Sequence, residues 1–254
     1  MTPDLVALCL LAFAAGFIDA VVGGGGLVQI PALLALRPDT DVAVLLGTNK
    51  AVGIWGTLAA SLQYSRAVDF PWRAVLPMAL AALAFGYLGA RAVALLPSDA
   101  MRPVVLVALI LVLGYTLWKK DFGRLHAPRL GPAAQIGVGL AAGAAIGFYD
   151  GFLGPGTGSF LVLAFVGLFG FNFLHASASA KVVNVLTNGA ALAFFATQGL
   201  VLWSLALPMA VANVAGSLVG SRLAIRRGSG FVRVFFVIIV AALILRIGHD
   251  LLRG

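Results

Sequence analysis

A hydrophobic segment near the start of the chain ends in Gly16-Phe17-Ile18-Asp19-Ala20-Val21-Val22-Gly23-Gly24-Gly25-Gly26, which joins one carboxylate to four consecutive glycines. The pattern returns as Gly147-Phe148-Tyr149-Asp150-Gly151-Phe152-Leu153-Gly154-Pro155-Gly156-Thr157-Gly158, and its aspartate lies 150 − 19 = 131 positions after the first. The same offset relates other identical residues, namely Lys50 and Lys181, Trp72 and Trp203, Gly89 and Gly220, and Arg102 and Arg233. One offset that holds without gaps over most of each half predicts an internal duplication.

The composition is that of a membrane protein. Of the 254 residues, 61% are hydrophobic and 10% are charged, and the mean hydropathy is +1.06. Soluble domains carry about 25% charged residues. The net charge of +8 comes from bases between the apolar segments, as the positive-inside rule requires, so nucleic acid is not an expected partner. We therefore predict an all-α, polytopic protein that passes several times through the cell (plasma or inner) membrane and contacts the lipid bilayer.

Each half contains five apolar segments, which we name a to e and a′ to e′. They cover about 5–22, 27–36, 47–64, 72–96 and 101–118, and then about 132–153, 159–171, 179–197, 203–225 and 231–252. The polar, basic stretch 119–131 joins the halves, so we predict a first transmembrane repeat (1–118), a cytoplasmic linker (119–131) and a second repeat (132–254). Segment b is shorter than the roughly 20 residues that span a bilayer.

The basic residues predict the orientation of the chain. The linker 119–131 and the loop between d′ and e′ should both face the cytoplasm, because the loop carries Arg222, Arg226, Arg227 and Arg233. Segments a′ to d′ then cross an even number of times: either all four cross, or a′ and b′ form a re-entrant hairpin with its tip in the membrane. Each half crosses an odd number of times, which predicts inverted repeats and both termini outside. Inverted repeats with glycine-broken helices at their interface are typical of secondary transporters, whose substrate sites lie near the bilayer midplane.

Asp19 and Asp150 are the first candidate functional residues. A carboxylate inside a membrane segment costs a few kcal/mol, so two at equivalent positions indicate a function. They could relay a proton or cation, or latch a gate. The alternative is that each carboxylate caps the glycine loop by accepting backbone N–H bonds. The two interpretations are compatible, and we assign these residues to coupling or gating.

The glycine runs predict a second kind of site. Glycines allow close backbone approach, and broken backbone at membrane depth occurs only beside protein or a water-filled cavity. The N–H groups that open segments b and b′ would bind an anion, helped by the helix dipole. Tight helix packing is the alternative reason for the glycines. The predicted anion-binding glycines, with their polar neighbours, are Gly23, Gly24, Gly25, Gly26, Gly154, Gly156, Thr157, Gly158 and Ser159.

Lys50 and Lys181 occupy equivalent positions early in segments c and c′. A lysine there either snorkels to the interface or lines a polar pathway. The neighbouring Asn, Ser and Thr residues favour binding of an anion, and pairing with Asp19 or Asp150 is a further option. The polar neighbours that we include in the substrate site are Thr48, Asn49, Ser177 and Asn184, and Asn188 and Asn213 are also nearby candidates.

No enzyme site can be recognised in the sequence. The three histidines have no metal-ligand spacing, and no nucleophile–base arrangement or nucleotide-binding loop is present. The glycine run 23–26 is not a dinucleotide fingerprint, because no βαβ unit surrounds it. We therefore expect a protein that is not an enzyme and that needs neither a cofactor nor a metal.

The paired motifs resemble the TauE/SafE family, the sulfite exporter family of membrane proteins. The resemblance extends over essentially the whole chain and rests on Gly16-Phe17-Ile18-Asp19, Gly23-Gly24-Gly25-Gly26-Leu27, Ile30-Pro31-Ala32-Leu33-Leu34, Gly47-Thr48-Asn49-Lys50, the stretch 147–160 and Ala176-Ser177-Ala178-Ser179-Ala180-Lys181-Val182-Val183-Asn184. It implies a transporter of small sulfur-containing anions, including sulfite and organosulfonates, usually by export.

From these observations we expect a secondary transporter that works by alternating access, with an oxyanion bound between the halves and movement linked to protonation. A passive anion channel with the same site is the alternative. We also expect that two copies of the chain could form a homodimer.

Overall fold

The computed structural model of the protein describes residues 3–97, 107 and 130–253, with the side chains of the last helix described up to 228 and at 231 and 234. Within these ranges the chain forms eight helices and no strand. The helices are α1 (Pro3–Val22), α2 (Gly26–Leu36), α3 (Val42–Tyr64), α4 (Trp72–Ala94), α5 (Pro132–Phe152), α6 (Thr157–Gly167), α7 (Phe173–Thr197) and α8 (Trp203–Arg253). The predicted segment e (101–118) and most of the predicted linker (119–131) lie outside the described residues.

Six of the helices are long and apolar enough to cross a membrane: α1, α3, α4, α5, α7 and the Trp203–Gly228 part of α8. Helix α8 is interrupted at Gly228, where φ is 72° and ψ is −169°. The tryptophans that begin α4 and α8, Trp72 and Trp203, are about half exposed (54% and 46%). The prediction of an all-helical, polytopic membrane protein is confirmed.

The third helix of each half begins earlier than its hydropathy predicts. Helix α3 begins at Val42 rather than near 47, and α7 begins at Phe173 rather than near 179. Asn172 caps α7, because its side chain accepts a hydrogen bond from the His175 N–H (2.9 Å). As a result, Lys50 and Lys181 each lie eight residues inside their helices (50 − 42 and 181 − 173), not at the beginning as predicted.

Helices α1 and α2 form a hairpin. Helix α2 has 11 residues, so it is about 16 Å long, roughly half the thickness of the hydrocarbon core. The chain reverses through Gly23 and Gly24, whose φ values of 79° and 94° favour glycine. At the open end of the hairpin, Arg37 after α2 lies 3.7 Å from Asp4 in the first turn of α1. A second helix of half the bilayer thickness is what a re-entrant hairpin requires, and its placement in the membrane stays a prediction.

Helices α5 and α6 form the corresponding hairpin in the second half. Gly154 and Gly156 have positive φ values (85° and 78°) at its tip. The rings of Tyr149 and Phe160, one on each helix, lie 5.4 Å apart, and the Tyr149 hydroxyl donates a hydrogen bond to the Pro155 carbonyl oxygen (2.6 Å). The chain therefore reverses here as it does after α1.

The tips of the two hairpins contact each other. A side chain at Gly23 would overlap the backbone of Gly158 and Ser159, and a side chain at Gly26 would lie 3.4 Å from Pro155 Cα. Gly23 is therefore required for the close approach of the two backbones as well as for the turn, whereas Gly26 would still have room for a methyl group. The alternative interpretation of the glycine runs, tight packing, holds at Gly23.

The first helix of each half packs against the fourth helix of the other half. Helix α1 packs on α8 and α5 packs on α4, while α3 packs on α8, α7 packs on α4, and α3 and α7 contact each other. Small residues bring these backbones together, for example where Gly216 of α8 meets Phe13 of α1. The pairing is equivalent in the two halves, as an internal duplication predicts. The inversion of the halves across the bilayer stays a prediction.

The α4–α5 contact can be tested with two glycines of α5. A Cβ at Gly143 would overlap the Met78 carbonyl of α4, whereas a Cβ at Gly137 meets nothing within 4 Å. Gly143→Ala is expected to lower the free energy of unfolding in detergent by about 1–3 kcal/mol, because the backbones must separate. Gly137→Ala is the matched control, with an expected gain of up to about 1 kcal/mol from helix propensity. Equal effects in the two variants would contradict this packing.

Candidate functional site: a polar cavity between two hairpin tips

Two ion pairs cross between the halves of the chain. Lys50 Nζ of α3 lies 2.7 Å from Asp150 Oδ1 of α5, and Lys181 Nζ of α7 lies 2.9 Å from Asp19 Oδ2 of α1. In each pair the lysine belongs to the third helix of one half and the aspartate to the first helix of the other. The four predicted charged residues are therefore brought together, but as reciprocal pairs rather than as free charges.

Three of the four charged side chains are buried, and Asp19 is largely so. The side chains of Lys50 and Asp150 are 3% and 2% exposed, and those of Lys181 and Asp19 are 0% and 14% exposed. This burial excludes snorkelling of the lysines to the membrane surface. Asp19 also accepts a hydrogen bond from the Gly25 N–H (3.4 Å), so the capping interpretation holds for this residue alongside the ion pair.

A small cavity lies where the two hairpin tips meet the ion pairs. It offers about 40 Å³, and roughly 10–15 Å³ on this measure holds one water, so there is room for about three waters or one small oxyanion. Twelve of the predicted site residues line it: Asp19, Gly24, Gly25, Gly26, Asn49, Lys50, Asp150, Gly154, Gly156, Thr157, Gly158 and Asn184.

The other five predicted residues do not line the cavity. The Ser159 and Ser177 hydroxyls donate to the carbonyl oxygens of Val22 (3.5 Å) and Val21 (3.1 Å). These bonds fasten the second half to the end of α1. The remaining three lie behind the wall: Gly23 packs on Gly158, Lys181 pairs with Asp19, and Thr48 accepts a hydrogen bond from the Leu202 N–H before α8 (3.0 Å).

Sequence reasoning missed three residues of the cavity wall, Gln29, Gly53 and Thr57. The duplication contains a signal for Thr57, because it is equivalent to Asn188 (188 − 57 = 131) and both line the cavity. Each lies seven residues after the lysine of its helix, two turns further along the same face. No comparable signal exists for Gln29, whose equivalent position is Phe160 (160 − 29 = 131).

The charged side chains around the cavity neutralise each other, whereas helix N-termini and free backbone N–H groups face it. The two lysines and two aspartates sum to zero when all four are ionised. Helices α2 and α6 begin at Gly26 and Thr157, so two helix N-termini open onto the cavity. Among the described residues, the wall N–H groups of Gly24, Gly156 and Gly158 have no hydrogen-bond partner. This arrangement suits a small anion, which backbone amides and helix dipoles attract without a net protein charge.

Two half-length helices that meet at a buried polar cavity, within a bundle of membrane-spanning helices, are features of a membrane transporter. The chain belongs to the family described as "Sulfite exporter TauE/SafE", whose family model matches residues 8–247. The expected family membership is thereby confirmed.

Curated relatives share this length and general class. The chain is 38% identical over 248 residues to the "Probable membrane transporter protein ORF9" of Sinorhizobium sp, which covers 97% of this chain and 93% of the relative. It is 34% identical to the "Probable membrane transporter protein YfcA" of Escherichia coli K12 (96% and 89% covered). It is 35% identical to a "Probable membrane transporter protein" of Haemophilus influenzae (97% and 96% covered). No solved structure matches the chain significantly.

The crossed ion pairs predict a specific pattern of stability. Lys181→Met is expected to lower the free energy of unfolding in detergent by up to about 3 kcal/mol, because Asp19, a largely buried charge, loses its ion-pair partner. The double variant Lys181→Met/Asp19→Asn removes both charges and should recover most of the loss. Arg37→Met is the control, since its pair with Asp4 is 33% and 51% exposed and such pairs contribute at most about 1 kcal/mol. A double variant no more stable than the single one would contradict the pairing.

Proposed function

We propose that the protein is a secondary transporter that exports small sulfur-containing anions, such as sulfite or organosulfonates, across the cell membrane by alternating access. The observation that carries this proposal is the cavity between the hairpin tips, with its unpartnered backbone amides and Lys50 on one wall. Membership of the sulfite exporter family supports the same class of substrate.

The predicted binding residues have complementary roles in this proposal. The amides at the beginnings of α2 and α6 donate to the anion oxygens, as does the Lys50 ammonium, which lies against Gly154 at the second hairpin tip. The side-chain amides of Asn49 and Asn184 complete the donor set. A cavity of about 40 Å³ suits a four-atom oxyanion directly, whereas a larger organosulfonate requires the hairpins to separate.

The contacts between the halves support the proposal of alternating access. Asp19 and Asp150 lie at the ends of α1 and α5, next to the hairpin tips, and each is held by a lysine of the other half. Separation of one tip from the opposite half must therefore stretch one ion pair, while the second pair keeps the other side closed. In this scheme the two aspartates act as gate latches, and protonation of an aspartate weakens its latch.

A passive anion channel is the alternative use of the same cavity. The contact between the hairpin tips and the small volume of the cavity favour a carrier, because a channel needs a continuous path. Turnover distinguishes the two: a carrier shows saturable flux, and a channel shows flux that rises with the gradient well beyond carrier rates.

Transport can be measured with purified protein in liposomes loaded with sulfite. Asn49→Ala is expected to raise the sulfite concentration for half-maximal flux about tenfold, the effect of losing one hydrogen bond to a charged group. Asn49 lines the cavity and makes no side-chain hydrogen bond with another described residue, so its removal should leave the fold intact.

Gln198→Ala supplies the control, since this amide is exposed at the end of α7 and away from the cavity. Its flux should equal that of the wild type. Equal flux in Asn49→Ala and wild type would contradict binding of the substrate in this cavity. Wild-type protein that moves none of sulfite, thiosulfate, sulfoacetate or taurine would overturn the proposed substrate class.

A further inference from the structure

Two unpartnered polar atoms belong to residues of the cavity wall. Asp150 Oδ2 and Gln29 Nε2 are buried and have no hydrogen-bond partner among the described residues. Both residues are 2% exposed, and both line the cavity. A buried polar atom without a partner costs about 1–3 kcal/mol, so such atoms call for an explanation, and on a cavity wall a bound ion or water is one that fits.

A molecule bound between the two atoms would have to accept a hydrogen bond from one and donate a hydrogen bond to the other. Gln29 Nε2 is a donor, and it can serve an oxygen of an anion. Asp150 Oδ2 is an acceptor, because Oδ1 of the same carboxylate receives the Lys50 ammonium at 2.7 Å. A fully deprotonated oxyanion satisfies the amide but repels the carboxylate oxygen. A proton between the carboxylate and the anion converts this repulsion into a hydrogen bond.

The charges of the two ion pairs also favour binding of a proton together with the anion. The two ion pairs are neutral together, so a dianion adds two negative charges to a buried site and a dianion with one proton adds one. Burial of uncompensated charge costs several kcal/mol per ion, even after relaxation. Uptake of a proton with the anion therefore removes a large part of the cost of binding.

The duplicated halves are not equivalent in this respect. Both carboxylate oxygens of Asp19 are occupied: Oδ1 accepts from the Gly25 N–H (3.4 Å), and Oδ2 accepts from Lys181 (2.9 Å) with the Thr57 hydroxyl at 3.4 Å. The position equivalent to Gln29 is Phe160, which offers no polar group. Of the two equivalent aspartates, therefore, only Asp150 keeps a carboxylate oxygen without a partner among the described residues.

Among the described residues, Lys50 is the one ionisable group recorded in an ion pair or hydrogen bond with Asp150. Lys50 of α3 is its ion-pair partner, and Tyr149 of its own helix binds the Pro155 carbonyl. Helix α6 carries no ionisable side chain. The ionisable groups on α4 and α7, which pack against α5, are Arg73, Tyr87 and Arg91, and His175 and Lys181; among the described contacts none pairs with Asp150, and Lys181 is held by Asp19.

We propose that the cavity binds an oxyanion together with one proton, as in hydrogensulfite, with the proton held between the anion and Asp150 Oδ2. Gln29 Nε2 donates to a second oxygen of the same anion. This inference rests on the proposed function of the cavity as an anion site, and it assigns the coupling role to Asp150 rather than to both aspartates. The proton enters and leaves with the anion, so the ion pair with Lys50 need not break when the anion binds.

Calorimetric titration of the full chain with sodium sulfite tests the proton directly. The titration is done at a pH where sulfite in solution is a dianion, in two buffers that differ in ionisation enthalpy. The heats should differ by the amount that corresponds to one proton taken up per sulfite bound. Binding without proton uptake, as when only water occupies the two free atoms, overturns this inference but leaves the anion site intact. Absence of binding by sulfite and by the other sulfur-containing anions counts against the proposed function itself.

Matched variants locate the proton. Asp150→Asn is expected to bind sulfite without proton uptake, whereas Asp19→Asn should still take up one proton for each sulfite bound. Uptake that persists in Asp150→Asn, or that disappears in Asp19→Asn, contradicts the assignment to Asp150.

Gln29→Leu tests the proposed hydrogen bond from Gln29 to the anion and leaves all charges in place. It can therefore be measured even if Asp150→Asn does not fold. Its sulfite affinity should fall about tenfold, with proton uptake unchanged. Ser179→Ala is the control, because the Ser179 hydroxyl is also buried without a partner but does not line the cavity. Its affinity should equal that of the wild type. Unchanged affinity in Gln29→Leu removes this residue from the site.

Discussion

The structure depends on two buried ion pairs, each of which joins one half of the chain to the other. A lysine or an aspartate alone inside the membrane is costly, and the charge is tolerated only when its partner is in place. Because Lys50 is paired with Asp150 and Lys181 with Asp19, neither half can neutralise its own charges. The two halves must therefore assemble in one register, in which the third helix of each lies beside the first helix of the other.

Glycine makes this register possible. The pairs form only because the hairpin tips approach backbone to backbone, and at Gly23 even one methyl group would overlap the opposite tip. The same glycines leave amide groups free and bring the beginnings of α2 and α6 to the cavity. The packing of the tips and the anion binding that we propose can therefore arise from the same glycines, so the two interpretations of the glycine runs are compatible.

The backbone around the cavity follows the internal repeat, but several side chains on its wall differ between the two halves. Thr57 and Asn188 occupy equivalent positions with different donors, Gln29 is opposed by Phe160, and Asn213 is matched by Ala82 (213 − 82 = 131). The two halves consequently contribute different polar side chains to the cavity. In a symmetric transporter both aspartates would perform the same task. Here the bonding of their oxygens differs, so one is fully engaged in holding the halves together and the other retains a free oxygen.

The sequence by itself determined the membrane class, the duplication and most of the cavity wall, because charged, glycine and amide residues that recur inside apolar segments are conspicuous. It did not determine which lysine meets which aspartate, since residue spacing defines the face of a helix but not the neighbour that covers it. For the same reason Ser159 and Ser177 were assigned to the cavity, although their hydroxyls bind backbone carbonyls of α1. Gln29 entered the site only through the fold, because the reversal of the chain at Gly23 and Gly24 turns the first turn of α2 toward residues more than a hundred positions away.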